Sequence, residues 1–171
     1  MTPQEIVERV LGLSRADACV VIVDEGSSAN LRWANNTLTT NGVMAERSVT
    51  VIAVIDGAEG AAAGVVARSA IVAGTLEPLV RAAEQAARDN GPAEDARVLV
   101  PGRESPDWDE PPVSTAIEVF GDLSPALGGA FTRSRGGGRV LYGYVEHTVR
   151  TTYRGSSTGL RLRHVQPVGH I

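Results

Sequence analysis

The sequence predicts an α+β fold: a helix, an antiparallel β-meander, a second helix, a long loop and a C-terminal β-hairpin, in a mixed or antiparallel sheet with helices packed on one face. Three observations predict it. Apolar residues recur at helical spacing in two stretches: Ile6, Val7, Val10 and Leu11, then Leu76, Leu79, Val80, Ala83 and Ala87. Between them lie β-branched runs, continuous or alternating with period two. Near the end, residues 139–153 and 160–168 alternate on either side of Ser156-Ser157-Thr158-Gly159. The 171 residues, 43% apolar and 21% charged, suffice for a buried core and read as one domain spanning 1–171. Aromatics are only 4%, so that core must be aliphatic.

The elements follow in order. Thr2 caps a helix over 3–14, with Pro3 at its first position and Glu5 at its third. Residues 18–24, Ala-Cys-Val-Val-Ile-Val-Asp, read as a strand buried on both faces. Glu25-Gly26-Ser27-Ser28 reads as a turn, 29–33 as an alternating strand and Asn35-Asn36 as another turn signal. A short strand over 37–40 then meets Asn41-Gly42, the strongest hairpin signal in the chain. Residues 48–55 and 60–69 form the next pair about Asp56-Gly57, for about five strands in all. Asn90-Gly91-Pro92 ends a helix over 76–89. Residues 91–112 are proline- and acid-rich, an extended surface segment pinned by Trp108. A weaker helix covers 124–133, and Gly136-Gly137-Gly138 is a flexible break. The last strand stops in mid-pattern at Gly169-His170-Ile171, as in a segment of a longer chain.

Composition narrows the function classes. No apolar run approaches the roughly 18 residues of a membrane span, and the N-terminus lacks a secretory pattern. The single Cys19 excludes an intramolecular disulfide and a cysteine-based zinc cluster, so a cytoplasmic protein is expected. All 16 basic residues are arginine, which removes Schiff-base lysines, Walker-type lysines and Ser-Lys dyads. A net charge of −4 disfavours nucleic acid as a partner. Only the last quarter is basic, and its hairpin over 150–163 fits a solvated face first, an acidic peptide or partner subunit second, and a nucleic acid third.

Candidate chemistry is sparse. His147, His164 and His170 form no zinc motif, and a separation of six on a strand places the last two roughly 20 Å apart. Glu146 and His147 point to opposite faces, and no Gly-x-Ser-x-Gly elbow exists. Cys19 reads as a core thiol. Gly136-Gly137-Gly138 lacks phosphate-loop spacing and reads as a linker, and Asp107, Asp109 and Glu110 read as a solvated loop. No catalytic and no metal-binding residue is therefore assigned.

Three strings carry a family resemblance: Ala16-Asp17-Ala18-Cys19-Val20-Val21-Ile22-Val23 after the opening helix, the strand-turn-strand from Ser28-Ala29-Asn30-Leu31-Arg32-Trp33 to Asn41-Gly42-Val43, and Thr151-Thr152-Tyr153-Arg154-Gly155-Ser156-Ser157-Thr158-Gly159-Leu160-Arg161. In this order they resemble the N-terminal domain of the TldD/PmbA family, once called modulators of DNA gyrase and grouped with zinc metallopeptidases. The acidic Trp108 segment is more similar to the PmbA (TldE) branch. The resemblance implies a cytoplasmic hydrolase of two domains, acting as a homo- or heterodimer with a family subunit in the proteolysis of unfolded peptides. The family's His-Glu-x-x-x-His motif belongs to the C-terminal domain of the TldD branch and does not occur here. Zinc is therefore expected only in the C-terminal domain of the parent or of its partner, with no cofactor in this segment.

The expected role is a non-catalytic N-terminal domain that shapes the chamber admitting peptides. Arg32, Trp33, Asn35 and Asn36 at the first hairpin and Arg154, Arg161 and Arg163 on the last are the candidate peptide- or partner-binding residues. The alternative is a stand-alone protein-interaction module with no peptidase link.

Overall fold

The computed structural model describes residues 1–69, 71–94 and 98–170, without the side chains of 168–170. Helix α1 (Pro3–Leu13) opens the chain. Strands β1 (Ala18–Ala34), β2 (Thr37–Gly57) and β3 (Gly60–Ser69) follow, then helix α2 (Leu76–Asn90), helix α3 (Leu123–Gly136) and strands β4 (Gly143–Ser156) and β5 (Arg161–His170). The five strands form one sheet in the order β3-β2-β1-β4-β5. The α+β arrangement predicted above is observed.

The chain gathers into two compact units. The first holds Met1–Glu25, Glu46–Pro112 and Thr151–His164, and the second Gly26–Ala45, Val113–Arg150 and Val165–Ile171. In the first unit, Ile6, Val7 and Val10 of α1 and Leu76, Leu79, Val80 and Ala83 of α2 share a core with Cys19, Val21, Val23, Val49, Val51 and Ala53 of the sheet. Trp108 and Tyr153 complete that core, rings edge to face at 5.7 Å. In the second unit, Phe120, Leu127 and Phe131 cover Ala29, Leu31 and Val145.

Local chemistry sets the boundaries. The Thr2 hydroxyl accepts the Glu5 N–H at 3.1 Å and the Glu5 carboxylate accepts the Thr2 N–H at 2.8 Å, the reciprocal box that starts α1. Strands β2 and β3 pair antiparallel from Ser48 opposite Ser69 to Gly57 opposite Gly60. Helix α2 lies so close on β3 that a Cβ at Gly64 would stand 2.1 Å from the Ala83 carbonyl oxygen.

Two turn expectations are corrected. Glu25-Gly26-Ser27-Ser28 does not turn; β1 runs straight through it. Ser27 and Ser28 are buried, and the Ser27 hydroxyl accepts the Thr115 N–H at 3.0 Å while donating to the Thr115 carbonyl at 3.3 Å. With the Ser27 hydroxyl satisfied by a neighbouring segment, it does not compete for a local turn. Asn41-Gly42 also lies inside a strand, β2. The chain does reverse at the other expected turn, Asn35-Asn36, both left-handed with φ of 51° and 58°. The meander therefore has three long strands rather than about five short ones. Gly136-Gly137-Gly138 is likewise a helix terminator and not a loose break: the Gly137 N–H donates to the Arg133 carbonyl at 3.1 Å, and Gly138 has φ of 66°. Strand β4 starts at Gly143, four residues later than its pattern suggests.

Candidate functional site

The first four candidate residues sit around the β1–β2 turn, in the second unit. Arg32 is exposed, its guanidinium 5.5 Å from the centre of the Tyr144 ring, a cation–π geometry. Trp33 is half-buried, and Gly143 passes so near its indole that a Cβ there would fall 2.1 Å from the ring. The Tyr142 hydroxyl donates to the Asn35 side-chain oxygen at 2.5 Å. Asn36 is buried, and its amide completes the turn as a short backbone would. Its nitrogen donates to the Arg139 carbonyl at 2.8 Å and its oxygen accepts the Leu141 N–H at 2.8 Å. Arg135 also donates to the Asn36 carbonyl. Asn36 is thus committed to architecture, while Arg32, Asn35, Tyr142 and Tyr144 offer a surface of cation, amide and aromatic ring.

The other three arginines belong to the first unit. Arg163 is buried and clamps the acidic segment. Its guanidinium donates to Asp107 at 3.1 Å, to the Pro111 carbonyl at 2.9 Å and to the Tyr153 hydroxyl at 3.4 Å, with Glu110 at 3.5 Å. Tyr153 donates in turn to the Glu110 carbonyl at 2.7 Å. Burial works against the Arg163 charge, yet Tyr153 and Asp107 outweigh it and its pKa is raised. The Ser105 hydroxyl foremost, with Arg163, holds the Asp107 carboxyl below its usual range. Arg161 forks onto Glu8 of α1 and donates to the carbonyls of Ser156 and Leu160 at 3.0 and 2.7 Å. Arg154 alone of the three is exposed.

The acidic residues of 107–110 are therefore partly structural, a role their sequence spacing does not disclose. Sequence reasoning also missed a second charged knot. Glu84, 2% exposed, accepts the Arg15 N–H at 2.6 Å and an Arg81 N–H at 2.5 Å, and Arg81 donates to the Leu13 carbonyl at the end of α1 at 2.6 Å. Burial opposes its ionisation, but the Arg15 N–H and Arg81 prevail and hold the carboxyl below the usual range. The only legible signal was an acidic residue on the apolar stripe of a helix.

No hydrolytic constellation assembles among the described residues. Burial pushes the Cys19 thiol up, away from the reactive thiolate. His147 shares a 2.8 Å hydrogen bond with the Thr115 hydroxyl, and His164 is exposed. The side chain of His170 lies outside the described residues. Among the described residues, no three of His, Cys, Asp or Glu converge to hold a metal ion. No described helix is long and apolar enough to cross a membrane.

No protein-family model and no curated protein matches the chain. Solved structures do. TldE from Thermococcus kodakarensis superposes with a TM-score of 0.69 at 12% identity over 97% of this chain and 37% of its own. A candidate modulator of a DNA gyrase from Thermotoga maritima gives 0.63 at 14% identity, over 98% and 38%. A candidate modulator of DNA gyrase from Bacteroides thetaiotaomicron gives 0.65 at 12% identity, over 96% and 38%. The chain therefore has the fold of part of these proteins and spans less than two-fifths of their length.

Proposed function

We propose that this chain is the non-catalytic N-terminal domain of a TldD/PmbA-type metallopeptidase or of its metal-free partner subunit. One observation carries the reading: nearly the whole chain matches the fold of little more than a third of TldE. The buried charged clusters of this chain, Arg163 with Asp107 and Glu84 with Arg15, tie its segments together. In this reading the domain walls a chamber that admits unfolded peptides, beside a second family subunit, in the cytoplasm. Zinc and bond cleavage belong to the missing remainder or to the partner. Arg32, Trp33, Asn35 and Arg154 are the residues that would meet peptide or partner; Asn36, Arg161 and Arg163 would hold the surface in shape.

The test has two steps. The gene read past Ile171 should continue into a second domain longer than this one. The 171-residue chain should leave a denatured protein substrate intact, while the full-length parent with its partner subunit cleaves it in a chelator-sensitive way. Chelator-sensitive cleavage by the 171-residue chain alone, or a stop codon after Ile171, overturns the reading.

A further inference from the structure

Charge is shared unevenly along the chain. Residues 26–45 and 123–145, all in the second unit, hold Arg32, Arg133, Arg135 and Arg139 and no aspartate or glutamate, in a chain with 20 acidic residues. Side-chain contacts gather these two stretches at one end of that unit. The buried Asn36 amide ties the β1–β2 turn to Arg139 and Leu141, Arg135 donates to the Asn36 carbonyl, and Tyr142 donates to Asn35. Arg32 of β1 lies over the Tyr144 ring of the neighbouring strand β4.

The gathered groups face solvent. Arg32, Asn35, Arg135 and Arg139 are exposed, and Tyr142 and Tyr144 are 66% and 38% exposed. Among the described residues, none of the four arginines forms an ion pair, and the side-chain nitrogen of Asn35 has no hydrogen-bond partner. Glu146, the first carboxylate after the second stretch, lies against Tyr144. Arg133 and Arg135 also suit the last turn of α3, where cations meet the carbonyl end of a helix. Arg32 and Arg139 stand outside that helix, so its dipole does not account for them.

We infer that this end of the second unit binds an acidic, extended polypeptide segment through pairs of guanidinium with carboxylate. A guanidinium presents its N–H donors in a planar fork that matches a carboxylate, and little freedom is lost when the fork engages. Contact with the Tyr144 ring steadies the head of Arg32, and its donors stay unspent on acceptors among the described residues. Asn35 can donate to a peptide carbonyl beside it, and the open Tyr142 ring can cover apolar atoms between the carboxylates. A short acidic segment fits a local patch of this kind. A long phosphate strand would run off it onto a molecule of net charge −4. The inference deepens the peptide- or partner-contacting role proposed for Arg32 and Asn35 and rests on that reading.

The experiment is the anisotropy of a short labelled peptide of alternating glutamate and glycine, titrated with the 171-residue chain at low salt. The acidic peptide should bind, and its counterpart with glutamine for glutamate should bind about tenfold more weakly. Arg32→Gln and Arg139→Gln, both at exposed positions, should keep the wild-type circular dichroism and each weaken the acidic peptide about tenfold. Arg68→Gln makes the same charge change at an exposed position on β3 of the first unit and should leave the affinity as it is. Equal affinity for the two peptides overturns the inference; if Arg32→Gln then weakens both alike, the peptide-contacting role survives without its acidic preference. Failure to bind either peptide overturns both, and leaves the domain reading to the gene sequence past Ile171. An equal loss in Arg68→Gln assigns the binding to overall charge and overturns the inference, as does a single-stranded oligonucleotide that binds more tightly than the acidic peptide.

Discussion

Gly64 shows how much one missing carbon can matter. A methyl group there would meet the backbone of α2 at 2.1 and 2.2 Å, and backbone cannot swing aside as a side chain can. Gly64→Ala should cost about 3 kcal/mol, read as a lower urea midpoint, through overpacking. An unchanged midpoint would mean that α2 lies farther from β3. Glu84 makes the electrostatic counterpart. Its carboxyl titrates below the ordinary glutamate range when folded, so its contribution is complete above that range and drains away as pH falls through the depressed value. Glu84→Gln should lose about 2 kcal/mol at neutral pH, because Arg81 and the Arg15 N–H lose a charged acceptor. The variant should also show a shallower stability decline in acid than the wild type. Parallel acid profiles for the two proteins would remove Glu84 from that role.

The β1–β2 turn shows what the sequence could and could not tell at the scale of an element. Helices α1 and α2 were legible to within a residue at most boundaries, because capping box, apolar stripe and terminal Asn90-Gly91-Pro92 are all local. The Asn35-Asn36 turn was legible too, but the sequence could not show that the second Asn-containing pair, Asn41-Gly42, is no turn. Local propensity favours Asn41-Gly42, yet the decisive bonds of Asn36 go to Arg139 and Leu141, about a hundred residues away. Arg161 and Arg163 likewise take distant partners, Glu8 and the Asp107 segment, that no local pattern discloses. Asn36→Ala should cost about 3 kcal/mol, combining lost hydrogen bonds with a left-handed backbone that alanine resists. Asn36→Gly keeps the backbone conformation and should cost about 2 kcal/mol, the share of the side-chain bonds. A glycine variant as stable as the wild type would show that turn conformation, not the amide bridge, fixes the reversal.

On the scale of the whole molecule, charge argues against nucleic acid as a partner. Twenty acidic residues face 16 arginines, and two arginines of the basic hairpin are bound to carboxylates within the chain. A labelled DNA duplex at low salt should show no anisotropy change with this protein; binding that weakens steeply with added salt would reverse that expectation. The solved relatives described as gyrase modulators share the fold alone and do not alter this reasoning. The long reach of the contacts has one further consequence, for the birth of the protein. The Gln4 side chain donates to the carbonyl of Trp108, 104 residues on, and Glu8 waits for Arg161, 153 residues on. During synthesis the opening helix therefore leaves the ribosome long before either companion exists. Such sequence-distant closure slows folding, and the nascent first unit spends most of its translation without the hairpin that finishes it.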